Sequence, residues 1–225
     1  MSSFSFEELS NAEVERAEAV YGGLTDDVRT LVDLAIRTRV DEQRVARARA
    51  LLSEAADLLA EDAQPGPAGV HYNAEGRSWN WGNTVVGLRN AVAPPAVLER
   101  GEDEVVRSAL TLGAPYEGPP GCVHGGVSAL LLDHLMGETA SAGHKRVTVT
   151  GTLTLRYVRP LPLGPVRMAA WISEEVGRKV TVTGWIGPDD PDDPDGGPAV
   201  EASGLFIIPR WAQDGGAPPG IGSLD

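Results

Sequence analysis

The sequence predicts an α+β protein in which an antiparallel sheet wraps one central helix, with a helical extension in front. Three observations predict it. The stretch from Val127 to Ala140 is apolar on nearly every face, which marks a buried helix. The segments after it alternate with a period of two, the mark of strands with two distinct faces. The first third of the chain instead carries caps and good helix formers. A curved sheet folded around the apolar helix would bury all of its sides.

The elements follow in order. Ser10-Asn11-Ala12-Glu13 offers caps before "VERAEAVYGGL", and Thr25-Asp26-Asp27 can open a second helix with Val28, Leu31, Val32 and Leu34 at near-helical spacing. A third helix is expected in "DEQRVARARALLSEAADLLAED", ending before Pro65-Gly66-Pro67. Residues 1–68 therefore read as a helical extension, a lid or a partner-binding surface. From about Gly69 the texture changes. "NTVVGLRNAVAPPAVLE" and "DEVVRSALTLG" read as short strands between turns. After the central helix, Val147, Val149, Leu153, Leu155 and Tyr157 alternate with Thr148, Thr150, Thr152, Thr154 and Arg156. "VRMAAWISEEVGRKVTVTGWIG" is a hairpin turning at Val176-Gly177-Arg178, and "AVEASGLFIIP" is a last strand. "PDDPDDPDGGP" is a solvated acidic turn, without the ligand spacing of a calcium loop. The main domain spans 69–211, and the tail at 212–225 is expected to be disordered.

Composition narrows the function classes. The net charge is -13, which argues against nucleic-acid binding. No apolar run approaches ~20 residues, so no membrane span is expected. A single cysteine, Cys122, excludes an internal disulfide framework and fits a reducing compartment. With no basic-then-apolar leader, the cytoplasm is the expected location. No spacing points to a metal, and no phosphate-binding glycine fingerprint is present.

The chemistry concentrates in "PPGCVHGGVSALLLDHLMGE", Pro119 to Glu138. A helix starting near Gly125 or Gly126 presents unpaired N–H groups and the positive end of its dipole. Such a terminus can stabilise a carbonyl oxygen as it becomes an oxyanion. Asp133 lies seven residues after Gly126, about two turns and ~10.5 Å along the same face. That gap is too long for both to act on one carbonyl within one chain. A second helix running the other way would bring Asp133 of one protomer to the helix start of its partner, so the spacing points to a homodimer. Apolar surroundings would raise the basicity of Asp133 and suit a nucleophile or general base. The competing reading is a buried aspartate held by hydrogen bonds or an arginine. His124 is read as orienting the turn and the substrate. His134, about 100° away from Asp133, is structural or interfacial. Cys122 has no base beside it to make it a nucleophile.

Taken together, "HGG" at 124–126, Asp133, "LTLRYVRPLPLG" and "EEVGRKV" resemble the PaaI-like acyl-CoA thioesterases of the hot-dog fold, over roughly residues 84–209. The resemblance implies dimers that can pair again, with sites between subunits. It implies that a Gly125 or Gly126 N–H polarises the thioester carbonyl, and that the partner's Asp133 attacks or activates water. It needs no cofactor. One branch of the family uses a strand threonine to position that water. Thr150 matches best, with Thr148 and Thr152 on its face. Many relatives carry an asparagine six residues before the histidine, where this chain has Gly118; Glu117 beside it is read as a turn residue. The coenzyme A phosphates would fall to Arg156, Arg159, Arg178 and Lys179. Trp79, Trp81, Trp171 and Trp185 line an acyl pocket or fill the core. The rival readings are a non-catalytic acyl-CoA binding or sensor module, and another reaction on the same fold such as hydration of an enoyl thioester.

Overall fold

The computed structural model describes residues 4–190, 192 and 196–213. The expected disordered tail lies outside the described residues from position 214 on, and most of the acidic stretch 191–195 does too. Residues 212 and 213 instead close a short helix, Arg210–Gln213.

The extension differs from its expected layout. One helix, α1, runs unbroken over Asn11–Arg37. Its start is a capping box. Ser10 accepts the Glu13 N–H, and the Glu13 carboxylate accepts the Ser10 N–H at 2.9 Å. Gly22-Gly23 lies inside the helix, with Leu88 against Gly22; a Cβ on Gly22 would lie 3.4 Å from Leu88 Cδ2. Thr25 donates its hydroxyl to the Tyr21 carbonyl at 2.8 Å, so it does not cap a second helix. The next helix, α2, spans Glu42–Ala60. It is capped by Asp41, which accepts the Arg44 N–H at 2.9 Å.

Ahead of α1, strand β1 (Phe4–Phe6) pairs in parallel with β2 (Val70–Tyr72), which pairs antiparallel with β3 (Ser78–Trp79). This small sheet interleaves the chain on both sides of residue 69. The segment expected as a strand at 83–99 is instead a run of turns that becomes β4 only at Glu99–Arg100. The reason is where its backbone groups find partners. Asn83 Oδ1 accepts the N–H groups of Val85 and Val86. The Arg29 guanidinium, from α1, donates to the carbonyls of Gly87, Leu88, Asn90 and Ala93 at 3.0–3.4 Å. Side chains take over what a ladder would have supplied.

The main sheet has six antiparallel strands. After β4 come β5 (Val106–Leu112), β6 (Val149–Tyr157), β7 (Gly164–Val176), β8 (Lys179–Pro188) and β9 (Val200–Ile207), in the order β4-β5-β7-β8-β9-β6. The turn between β7 and β8 falls where expected, with Gly177 at a φ of 58°. Helix α3 (Gly125–Ala140) packs against this sheet. Leu131, Leu132, Leu135 and Met136 are fully buried in the shared core. Each such side chain contributes about 2 kcal/mol by burial. A helix cradled by an antiparallel sheet is the hot-dog arrangement. One stripe of α3 stays uncovered within the chain. Gly126 and Leu130 are exposed, and Asp133 and Gly137 are half-buried, at helical spacings of four, three and four. Strand β6, at the sheet edge, has no neighbour on its outer side among the described residues.

Candidate active site

The start of α3 resolves which glycine keeps a free donor. His124 is the N-cap residue, and its carbonyl accepts the Val127 N–H at 2.9 Å. Its Nδ1 accepts the Gly126 N–H at 2.9 Å. An accepting Nδ1 carries no proton, so the neutral ring holds its proton on Nε2. Gly126 has therefore spent its donor. Among the described residues, the Gly125 N–H meets no acceptor. Of the two expected donors, the geometry leaves Gly125.

That donor sits in a tightly held turn. The Tyr157 hydroxyl, from the end of β6, donates to the Gly125 carbonyl at 2.9 Å. The Gly125–Gly126 peptide is thus held at its oxygen by Tyr157 and at its N–H by His124. Neither residue has spare room. A Cβ on Gly125 would lie 3.1 Å from the Tyr157 ring, and one on Gly126 would lie 3.1 Å from His124 Nδ1. The position where the resemblance led one to expect asparagine is closed as well: a Cβ on Gly118 would lie 2.7 Å from His124 Cα. Glu117 accepts the Gly121 N–H at 2.7 Å and closes the turn before the helix.

Asp133 is half-buried on the uncovered stripe of α3, not sealed in the core. No arginine pairs with it among the described residues; its Oδ1 accepts the Thr150 hydroxyl at 3.0 Å. That bond depends on a break in the strand. The register of β6 against β9 slips between Thr150 and Thr152, so Gly151 bulges out. Thr150 then pairs with Phe206, on the helix side, while Thr152 pairs with Leu205 on the other face. Strict alternation would have put Thr150 and Thr152 together. The bulge separates them and leaves Thr150 alone beside the carboxylate. Eight residues of helix, about 12 Å, separate Gly125 from Asp133. One chain brings Asp133 and Thr150 together, and His124 and Gly125 together, but does not unite the two pairs.

The four candidate phosphate-binding cations split into two groups. Arg178 and Lys179 lie at the β7–β8 turn. Lys179 is in register with Ile207, which is in register with Val149, so this end lies about two strand spacings, ~10 Å, from the Thr150 end of β6. Arg178 donates to the Ile208 carbonyl at 3.1 Å. Arg156 and Arg159 lie at the far end. Arg156 is paired with Glu201 at 2.9 Å on the face turned away from α3, and Arg159 donates to the Gly197 carbonyl. A groove of about 470 Å³ on that outer face is lined by Thr154, Arg156, Trp171, Trp185 and Glu201. It lies across the sheet from Asp133. Trp171 is exposed there, whereas Trp79 is buried and stacks on His71. His134 is held below its ordinary pKa by burial, against the upward pull of Glu138 and Asp133. Sequence reasoning missed Tyr157 as a support for the turn and the bulge at Gly151. An isolated glycine in a threonine-rich strand was the available sign of the bulge.

The comparisons agree with this architecture. A thioesterase superfamily model matches residues 120–186. The crystal structure of protein RHA08564, a thioesterase superfamily protein, is 37% identical, with a TM-score of 0.70 over 83% of this chain and 90% of its own. Two others match about half the chain. The BH2602 protein from Bacillus halodurans with CoA is 25% identical, covering 53% of this chain and 77% of its own, with a TM-score of 0.46. A phenylacetic acid degradation-related protein from Ralstonia eutropha is 19% identical, covering 51% of this chain and 86% of its own, with a TM-score of 0.45. This chain belongs to the thioesterase superfamily, with the hot-dog fold and a helical region before it. Thioester hydrolysis is the chemistry of that class. Among the described residues, no helix is long and apolar enough to cross a membrane.

Proposed function

We propose that the chain hydrolyses acyl-CoA thioesters to a free acid and coenzyme A, at sites shared between two protomers of a homodimer. The hydrogen bond between Thr150 and Asp133 carries the reading. The Thr150 hydroxyl donates a hydrogen bond to Oδ1, which leaves its oxygen lone pairs to accept a hydrogen bond from water. The same water can give its other proton to Oδ2 of Asp133, which acts as general base. The hydroxide so formed attacks the thioester carbonyl carbon. The oxygen that gains charge is met by the free Gly125 N–H of the second protomer, at the positive end of α3. As the C–S bond breaks, the proton held by Asp133 passes to the departing thiolate. The uncovered α3 stripe and the unpaired edge of β6 supply the surface on which an antiparallel second copy would bring the two halves together. Dimers of this kind can pair again into tetramers.

Arg178 and Lys179 are the cations best placed for the coenzyme A phosphates, because they lie at the Thr150 end of the sheet. Arg159 is second, since its carbonyl contact leaves further donors free. Arg156 is already neutralised by Glu201. The test is release of free thiol from short, medium, long and aryl acyl-CoAs. Asp133→Asn should remove nearly all release, and Thr150→Val should lower kcat about 10- to 100-fold with little change in KM. Full activity in the Asp133→Asn protein would overturn the reading. Tight binding of acyl-CoA without thiol release from the unaltered protein would favour the sensor alternative.

A further inference from the structure

We propose that α2 is an association helix that pairs antiparallel with α2 of a second copy of this chain. Every residue of α2 is exposed, although one side of it is strongly apolar. Val45, Leu51, Leu52, Leu58 and Leu59 are 41–62% exposed. Their spacing is a heptad: Val45, Leu52 and Leu59 are seven apart, as are Leu51 and Leu58, with Ala48 and Ala55 between the rows. A 19-residue helix gains most of its stability from packing such a face.

Charge identifies the occupant. After Asp41 at the N-cap and Glu42 in the first turn, the first half of α2 carries Arg44, Arg47 and Arg49, and the second half carries Glu54 and Asp57, with Glu61 at the C-cap. Beyond the first turn this order opposes the helix dipole, which favours anions at the start and cations at the end. No base stands in the last turn. Among the described residues, Arg47, Arg49, Glu54, Asp57 and Glu61 have no ionic partner. A parallel copy would set like charges side by side. An antiparallel copy sets the basic half against the acidic half. Arg47, Glu54 and Glu61 are also seven apart and border the apolar stripe. A two-fold axis near Ala50 and Leu51 places Arg47 opposite Glu54 of the second copy, and the reverse, while Leu51 and Leu52 meet their counterparts at the centre and Leu58 comes near Val45 towards each end. The pairing uses an element separate from α3 and β6 and does not depend on the catalytic reading.

Cross-linking of the full chain with a short bismaleimide tests this, with the unaltered protein as the blank for Cys122. Leu51→Cys lies near the axis and should give a covalent dimer. The two copies of Leu58→Cys would be more than ~20 Å apart along the helices and should give none above the blank. Adding Arg47→Glu to Leu51→Cys should weaken pairing roughly tenfold, since two attractive contacts become repulsive. Adding Glu54→Arg as well should restore the yield. Cross-linking of Leu58→Cys as strong as that of Leu51→Cys would mean a parallel pair and overturn the proposal. So would no cross-linking of Leu51→Cys above the blank, or no recovery in the double reversal.

Discussion

Replacing Gly125 by alanine should destabilise the protein, and removing the Tyr157 ring should reverse the sign of that effect. The new Cβ would lie 3.1 Å from Tyr157 Cε1, 3.2 Å from the hydroxyl oxygen and 3.3 Å from Cζ. The ring must then move by a few tenths of an ångström, at the expense of the 2.9 Å bond to the Gly125 carbonyl. Losing a neutral hydrogen bond at an exposed position costs about 1 kcal/mol, and local overpacking adds about 1 kcal/mol. Against this, alanine in place of glycine gains about 0.5 kcal/mol in chain entropy. The net loss is about 1.5 kcal/mol. In a Tyr157→Ala background the collision and the bond are both absent, so Gly125→Ala should gain about 0.5 kcal/mol. The coupling is therefore about 2 kcal/mol, well above the ~0.5 kcal/mol scatter of independent sites. Urea unfolding of the four proteins at one protomer concentration measures it. Additive free energies would show that the ring does not constrain the turn, and the account of how Tyr157 holds the Gly125–Gly126 peptide would fail.

Two further outcomes follow from the same region. Gly118→Asn, which installs the side chain that the family resemblance led one to expect, should lower stability by about 2 kcal/mol and shift Tm down by several degrees, because its Cβ would meet His124 Cα at 2.7 Å. An unchanged melting curve would count against that steric block. Burial lowers the pKa of His134 in the folded chain, so between its unfolded value of about 6.5 and its lower folded value the unfolded chain binds more protons. Stability should thus fall as pH drops below about 6.5, and His134→Gln should flatten that slope; equal slopes in the two proteins between pH 7 and 5.5 would refute it.

The central helix was legible because its apolarity runs all the way round, which few environments other than a wrapped core accept. The β7–β8 turn was legible from Gly177 between two alternating runs. The remaining features depended on partners distant in sequence. Val85, Val86 and Leu88 look like strand residues, but Arg29 and Asn83 supply the hydrogen bonds that decide the backbone path there. Gly22-Gly23 looks like a helix end but lies inside α1, with Leu88 against Gly22. In the candidate site, Asp133, His124 and the glycine turn were visible as residue types at telling spacings. Which glycine keeps its donor depended on the His124 ring angle. The period-two reading of β6 placed Thr150 beside Thr152, and only the slip at Gly151 separates them.

The four carbonyls gathered by Arg29 bear on how the extension is held. A side chain from α1 closes the path of residues 87–93, so a shortened gene starting at residue 69 would leave those oxygens without their donor. Helix α1 is therefore bonded directly to residues 87–93, and a chain without it would need another donor to brace the same bend.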